Sequence, residues 1–174
     1  MSKMLQVMTF EDITGDGLLW AVRYEGDSDN ILAMTFDMWN DHDWLRDFFM
    51  ANSSDLSRYF KITNLNQAIY DTISDELDSL FKPLENLRTA EVLLGKEKAK
   101  GNRIFRHDSW LRLYAIRFQR NSYLVTGGTI KLTRTMQERE HTLEELRKLE
   151  NVRNFLISEG AYDIDGFYDL ILNK

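Results

Sequence analysis

The chain has 174 residues, no cysteine and a net charge of -6, with 43% hydrophobic, 12% aromatic and 29% charged residues. This length and balance are typical of one folded domain and exclude an intrinsically disordered chain. Because cysteine is absent, the sequence also excludes a disulfide framework and a thiolate metal site. It shows neither a signal peptide nor a membrane-spanning segment, so we expect a cytoplasmic protein with no membrane partner.

The charge is distributed unevenly along the chain. Residues 1–90 carry seven Lys or Arg and sixteen Asp or Glu, whereas residues 91–174 carry fifteen and twelve. Between Lys96 and Arg139 there are eleven basic and three acidic residues, a local charge of +8. Such a segment attracts a polyanion if folding gathers its charges on one face. The alternative is that edge strands and solvated loops scatter the charges.

The first predicted elements are a hairpin and a helix. Apolar and β-branched residues at 18–24 and 31–38 flank the turn-forming run 26–30, a pattern that predicts two antiparallel strands. Asp41 or Asp43 then caps a helix with an apolar face.

Two acidic runs in this region resemble metal sites only superficially. Asp12, Thr14 and Asp16 imitate the opening of a calcium loop, but Arg23 stands where a bidentate Glu is required, so we expect a plain turn. A second run offers oxygen and nitrogen ligands but opens a helix, where such residues act as caps. Its members are Asp37, Asp41, His42 and Asp43.

The middle of the chain predicts a long helix, a loop and two strands. Apolar residues recur every three or four positions from Thr63 or Asn64 until Lys82-Pro83 ends the helix. Residues 94–108 predict a basic loop, and residues 110–128 predict two strands joined around Gln119 to Ser122.

The last predicted helix begins with a capping box formed by Thr142 and Glu145. Its buried stripe is expected to contain Leu143, Leu146, Leu149, Val152, Phe155 and Leu156. Asp165 is expected to cap a short C-terminal helix. The order of hairpin, helices, sheet and helix predicts an α+β fold in which a small antiparallel sheet packs against helices.

The run LRLYAIRFQRNSYLVTGGTIKLTRTMQERE, residues 111–140, resembles the core of the RelE/HigB-like toxins of bacterial type II toxin–antitoxin systems, including phage-derived members of the ParE/RelE superfamily. In those proteins a central strand, a short turn, and a last strand ending in Gly, an apolar residue and Lys or Arg precede a closing helix. The matching positions are Gly128, Ile130, Lys131, Arg134, Thr135 and Arg139, with Arg112 or Arg117 on the preceding strand. The resemblance implies, within a single domain, a RelE-like core at residues 61–157, an N-terminal hairpin and helix at residues 1–60, and a C-terminal tail at residues 158–174.

The resemblance also implies a function, namely a ribosome-associated mRNA endoribonuclease that needs no metal or other cofactor and is neutralised by an antitoxin protein. Cleavage of this kind requires a base, an acid and cations that stabilise the charged phosphorane. The expected catalytic residues are Arg112, Lys131, Arg134 and His141, with His107 as the second candidate acid or base. The expected RNA-binding residues are Lys100, Arg103, Arg106, Tyr114, Arg117, Gly128 and Arg139.

Two other interpretations remain open. The chain is either a non-catalytic module that binds protein or RNA on the same fold, or a structural or regulatory homodimer whose exposed strands pair. The acidic N-terminal region, residues 1–60, has no counterpart in such toxins. It is compatible with a cover over the basic groove and with a fold retained after ribonuclease activity was lost.

Overall fold

The computed structural model of the chain describes residues 8–41, 43, 44, 47, 81–83, 95–100, 111–130 and 140–172. Within these residues, six strands form one sheet in the order β1-β2-β6-β5-β4-β3. The strands are Thr9–Asp12 (β1), Leu19–Arg23 (β2), Phe81–Pro83 (β3), Gly95–Lys100 (β4), Leu111–Gln119 (β5) and Ser122–Ile130 (β6). The helices described from end to end are Ile31–Asn40 (α1), Glu140–Ser158 (α2) and Ile164–Leu172 (α3). The predicted α+β class is confirmed.

One strand pair makes the sheet mixed, where the sequence predicts an antiparallel sheet. β2 runs parallel to β6, with Leu19 opposite Tyr123 and Ala21 opposite Val125. The other four pairs are antiparallel. A parallel pair requires a long crossover connection, and here the chain from α1 to β5 provides it. The N-terminal strands therefore extend the same sheet that contains β5 and β6.

The strand pair predicted within residues 110–128 is confirmed as β5 and β6. Gln119 lies opposite Ser122, so Arg120 and Asn121 form a two-residue turn. Asn121 adopts a φ of 56°, a left-handed conformation that Asn accepts more readily than most residues. β6 is buried along its whole length, as expected for a strand covered on both faces.

The hairpin predicted from residues 18–24 and 31–38 is wrong, because the second segment is helix α1. The observed hairpin pairs β1 with β2 instead. Asn30, which the sequence analysis assigned to a turn, caps α1 by accepting a hydrogen bond of 2.9 Å from the Ala33 backbone amide. The buried residues of α1 follow the helical period. They are Ile31, Leu32, Thr35, Phe36 and Trp39.

Two boundaries in the middle of the chain also differ from the prediction. Lys82-Pro83, the predicted stop of the helix, belongs to β3, an edge strand, and sheets tolerate proline on edge strands. β4 lies inside the predicted basic loop, residues 94–108. Its pairing with β5 outweighs the low strand propensity of lysine. The helix predicted from Thr63 or Asn64 lies outside the described residues.

The predicted cap at Asp41 is confirmed. Its Oδ1 accepts hydrogen bonds from the backbone amides of Asp43 at 3.0 Å and Trp44 at 3.1 Å. These bonds satisfy amides that have no partner inside a helix.

The plain turn predicted between β1 and β2 is also confirmed. The Asp12 carboxylate accepts hydrogen bonds from the amides of Gly15 at 3.0 Å and Gly17 at 2.9 Å. The Thr14 hydroxyl donates to Asp16, and this bond, with one from Leu18, lowers the pKa of Asp16. Among the described residues, no three His, Asp or Glu side chains come together as a metal site.

Helix α2 does not begin with the predicted capping box. It starts at Glu140, two residues before Thr142, and Thr142 is fully buried. The predicted buried stripe is confirmed at Leu149, Val152 and Leu156, which have no exposed surface. The remaining predicted members, Leu143, Leu146 and Phe155, are partly buried.

Helix α3 is capped by Asp163 rather than by the predicted Asp165. Asp163 Oδ1 accepts a hydrogen bond of 2.7 Å from the Gly166 amide, and Asp165 lies inside the first turn. Phe167 then anchors the helix to the sheet, with its ring centroid 4.5 Å from that of Phe118 and 5.2 Å from that of Trp20.

The sheet lies between α1 on one face and α2 with α3 on the other. Neighbouring glycines of β6 show this division, because residues next to each other in a strand point to opposite faces. A Cβ on Gly128 would lie 2.8 Å from the Thr35 methyl group of α1. A Cβ on Gly127 would overlap the Glu145 carboxylate of α2.

Candidate functional site

Strand pairing brings several of the expected basic positions to one end of the sheet. Lys100, the last residue of β4, lies opposite Arg112, and Arg112 lies opposite Thr129. Ile130 ends β6 at the same level, opposite the first residue of β5. Lys131 follows Ile130 directly in the sequence. Three expected positions, 100, 112 and 131, are therefore at or next to the same end of three adjacent strands.

Helix α2 begins near this end of the sheet. Glu145 contacts β6 at Gly127, whereas Glu150 accepts a hydrogen bond of 3.2 Å from Nζ of Lys96, which is opposite Ile116. Because Ile116 pairs with Leu124, α2 runs antiparallel to β6. The first turn of α2, which includes His141, consequently lies toward the end where β6 stops. A helix N-terminus favours anions through its unpaired amides and its dipole.

Three expected site residues on β5 and β6 have little or no exposed surface. Arg112 is 6% exposed, and Tyr114 is completely buried. Burial raises the pKa of Tyr114, although the charge of Arg112 opposes the rise. The Tyr114 ring therefore presents no face for base stacking. Gly128 is also buried, and the Thr35 methyl group occupies the space where an approaching phosphate would have to lie.

The remaining expected residues are placed only in part or not at all. Arg117 is partly buried and, by strand alternation, belongs to the face opposite Arg112. Lys100 and His141 are positioned by the backbone of β4 and α2. The others lie outside the described residues, namely Arg103, Arg106, His107, Lys131, Arg134 and Arg139.

Glu145 is a prominent polar residue that the sequence analysis assigned to the wrong role. Its side chain is only 12% exposed, and Oε1 accepts a hydrogen bond of 3.0 Å from Nζ of Lys148. Oε2 has no hydrogen-bond partner. A Cβ on Gly127 would overlap Oε2 and lie 3.1 Å from Cδ, so the carboxylate occupies the space that a side chain at that position would need.

The pKa of Glu145 reflects this environment. Burial raises it, and the charge of exposed Glu144 adds to the rise. Lys148 lowers the pKa by its charge and its hydrogen bond, and the backbone amide of Gly128 lowers it further. Burial has the largest effect, so the pKa of Glu145 lies above the ordinary value of 4.5.

Two tyrosines complete the polar cluster around Glu145. The Tyr24 hydroxyl donates a hydrogen bond of 2.6 Å to the Thr126 carbonyl, and Nζ of Lys148 lies 5.9 Å from the centre of the Tyr24 ring. Burial, together with the charge of Glu145, raises the pKa of Tyr24. The Tyr114 hydroxyl is buried without a hydrogen-bond partner. Neither tyrosine is therefore ionised at neutral pH.

A signal for the buried position of Glu145 was present in the sequence. Thr142, Glu145, Leu149, Val152 and Leu156 are separated by three, four, three and four residues. This spacing places Glu145 on the same helix face as the apolar stripe. Because Thr142 and Glu145 also have the spacing of a capping box, the sequence analysis predicted that Glu145 caps the helix.

Comparison of the chain with protein-family models, curated proteins and solved structures gives no match. The site is therefore interpreted from its own residues and geometry. Within the part of the chain that the structure describes, no helix has both the length and the apolar character needed to cross a membrane.

Proposed function

We propose that the chain is a RelE-like toxin-type protein that cleaves mRNA on the ribosome without a metal and is neutralised by an antitoxin protein. One observation carries the proposal, namely that β4, β5 and β6 bring Lys100, Arg112 and the residue before Lys131 to one end of the sheet. Lysine and arginine suit an RNA phosphate there, because both stay charged and arginine donates two parallel hydrogen bonds.

The proposal assigns a separate task to each expected catalytic residue. Lys131 and Arg134 bind the phosphate whose ester bond breaks and stabilise its developing negative charge. His141, in the first turn of α2, exchanges a proton with the 2′-hydroxyl or with the leaving 5′-oxygen. Arg112 has little exposed surface, so it contributes positive potential beneath the site rather than a direct contact.

The proposed partners follow from the same charge distribution. RNA reaches the basic end by electrostatic attraction, and a segment of the antitoxin competes for that end when it neutralises the toxin. The activity belongs in the cytoplasm, where ribosomes and mRNA are found.

Induced expression in a bacterial host tests the proposal through growth. Wild-type protein should arrest growth, and the double variant Lys131→Ala/Arg134→Ala should relieve the arrest while reaching the same soluble level. Arg147→Ala is the matched control, because it removes one positive charge from an exposed position on α2. Arrest that persists in the double variant, or normal growth with wild-type protein at high soluble level, contradicts the proposal.

A second candidate function is a non-catalytic RNA-binding module on the same fold. The observation that favours it is the burial of Tyr114 and Gly128, together with the low exposure of Arg112. This candidate predicts that purified protein binds single-stranded RNA without cleaving it, and that affinity falls steeply with salt. Binding that the Lys131→Ala/Arg134→Ala variant loses, with intact RNA recovered afterwards, would favour it over the nuclease.

A further inference from the structure

The interface between α2 and the sheet changes character along the helix. Leu149, Val152 and Leu156 pack against the sheet as an apolar stripe without exposed surface. One turn nearer the N-terminus, the same stripe continues with Glu145. In the first half of α2 the contact with the sheet therefore includes a carboxyl group, whereas in the second half it consists of apolar side chains.

The charged groups around Glu145 come from each element packed against it. Lys148 and Glu144 belong to α2 itself. Tyr114 approaches from β5 with Arg112 beside it, and Tyr24 is the residue that follows β2. β6 offers only backbone, the Gly128 amide and the Cα of Gly127. Lys148 is the one hydrogen-bonding cation at the carboxylate among the described residues, and it is 33% exposed.

This arrangement is costly when Glu145 is ionised. A buried carboxylate loses its hydration, and Oε2 gains no hydrogen bond in exchange. The partly exposed Lys148 offsets only part of that loss. When Glu145 is protonated, the charge disappears, and the carboxyl group remains in the space that Gly127 leaves open.

We propose that Glu145 is a proton-operated latch, in which the protonated carboxyl group seats the first half of α2 on β5 and β6 and the ionised group loosens it. The proton comes from solvent and returns to solvent. The latch does not depend on whether the chain acts on RNA. Loosening would uncover the surface of β5 that carries Arg112 and Tyr114.

The direction of the pH effect follows from the raised pKa of Glu145. The folded state holds the proton more tightly than the unfolded state, so the stabilisation is fully present below the ordinary pKa of 4.5. It is lost as the pH rises through the higher pKa of the folded state. The helix is thus seated most firmly in acid and least firmly at neutral and alkaline pH.

Hydrogen–deuterium exchange of the full chain tests the latch by comparing wild type with Glu145→Gln at about pH 5 and about pH 8. Glutamine is neutral at both values and keeps the shape of the protonated carboxyl group. Comparison at equal pH cancels the intrinsic pH dependence of amide exchange. We expect deuterium uptake in residues 142–150 to be several-fold slower in Glu145→Gln at about pH 8, with a smaller difference at about pH 5.

Two controls make the outcome specific. Glu144→Gln removes the same charge from an exposed neighbouring position and should exchange like wild type at both pH values. The β1–β2 hairpin serves as an internal reference, because its uptake should not differ between the variants. Equal uptake of wild type and Glu145→Gln in residues 142–150 at about pH 8, or faster uptake in the variant, overturns the proposal.

Titration of wild-type protein keeps the proposal testable if Glu145→Gln fails to fold. The side-chain carboxyl carbon of Glu145 should titrate above the ordinary value of 4.5 in a carbon-detected NMR experiment, and uptake in residues 142–150 should rise over the same pH range. Titration of Glu145 at or below the ordinary value of 4.5 contradicts the latch, as does uptake that does not follow the titration of Glu145.

Discussion

Each face of β6 is covered by a helix, and each helix packs a different kind of side chain against a glycine of β6. On the α1 face, Gly128 admits the Thr35 methyl group, next to the buried Phe36 and Trp39. On the α2 face, Gly127 admits the carboxylate of Glu145. The adjacent glycines therefore serve close apolar packing on one side of the sheet and burial of an ionisable group on the other.

This difference shows how the two helices depend on solution conditions. Apolar packing against α1 is insensitive to pH near neutrality, because none of its buried side chains ionises there. The contact with α2 includes a carboxyl group whose charge is opposed by burial. We expect α1 to be the more permanent layer and the first half of α2 to be the more responsive one.

The largest expected effect lies on the α1 face. Trp39→Ala should lower the free energy of unfolding by about 4 kcal/mol, because it removes a fully buried ring that packs edge-on against Phe36. Urea denaturation measures the loss. Met38→Ala on the same helix is the control, since Met38 is 36% exposed and should cost much less. Similar losses for both variants would show that α1 is not packed as described.

The next effect concerns Gly128. Gly128→Ala should cost about 2 kcal/mol, because the new Cβ would lie 3.0 Å from the Arg112 carbonyl oxygen and from a Leu113 methyl group. Backbone cannot move aside as a flexible side chain does. Thr35→Ser removes the methyl group at 2.8 Å and should restore part of the loss in the double variant. A neutral Gly128→Ala would contradict the close packing against α1.

A smaller effect is expected for Gly127 and should depend on its partner. Gly127→Ala should cost about 1 kcal/mol in the wild-type background, because it displaces the end of the Glu145 side chain. With Glu145→Ala present, the same change should be nearly neutral. Urea denaturation of the four proteins in this double-mutant cycle gives the coupling energy, expected at about 1 kcal/mol. Additive effects of Gly127→Ala and Glu145→Ala would contradict a direct contact between the two positions.

The smallest effect is expected near the middle of α2. Lys96 and Glu150 form a salt bridge of 3.2 Å whose side chains are 34% and 44% exposed. Lys96→Ala should lower the free energy of unfolding by at most about 0.5 kcal/mol, and added salt should reduce that difference. Thermal unfolding at two salt concentrations checks this. A loss as large as that of Gly128→Ala would mean that α2 is held mainly by this partly exposed salt bridge.

Sequence patterns predicted those parts of the fold that depend on residues close together in the sequence. Period-two alternation around the Arg120-Asn121 turn predicted β5 and β6, and the side chain of Asp41 predicted a cap. The same approach was wrong at residues 31–38, where a continuous apolar run fits a strand as well as a helix. The hydrogen bond that the Asn30 side chain accepts at the start of this segment favours the helix.

Long-range pairing explains the remaining differences. β2 and β6 lie about a hundred residues apart in the sequence, so no local pattern reports that they pair in parallel. β4 exists because β5 offers it hydrogen bonds, not because lysines favour strands. At the candidate site, sequence reasoning named the basic residues that the register aligns. It did not predict that Glu145 would be buried between α2 and the sheet.

The central claim is that the basic end of the sheet directs RNA cleavage, and mapping the 5′ ends of cellular mRNA after induced expression tests it most directly. The account predicts new 5′ ends with wild-type protein and with Arg147→Ala, and their loss with Lys131→Ala/Arg134→Ala at equal soluble level. Intact mRNA at high soluble expression of the wild-type protein would contradict it, as would cleavage that survives the double substitution.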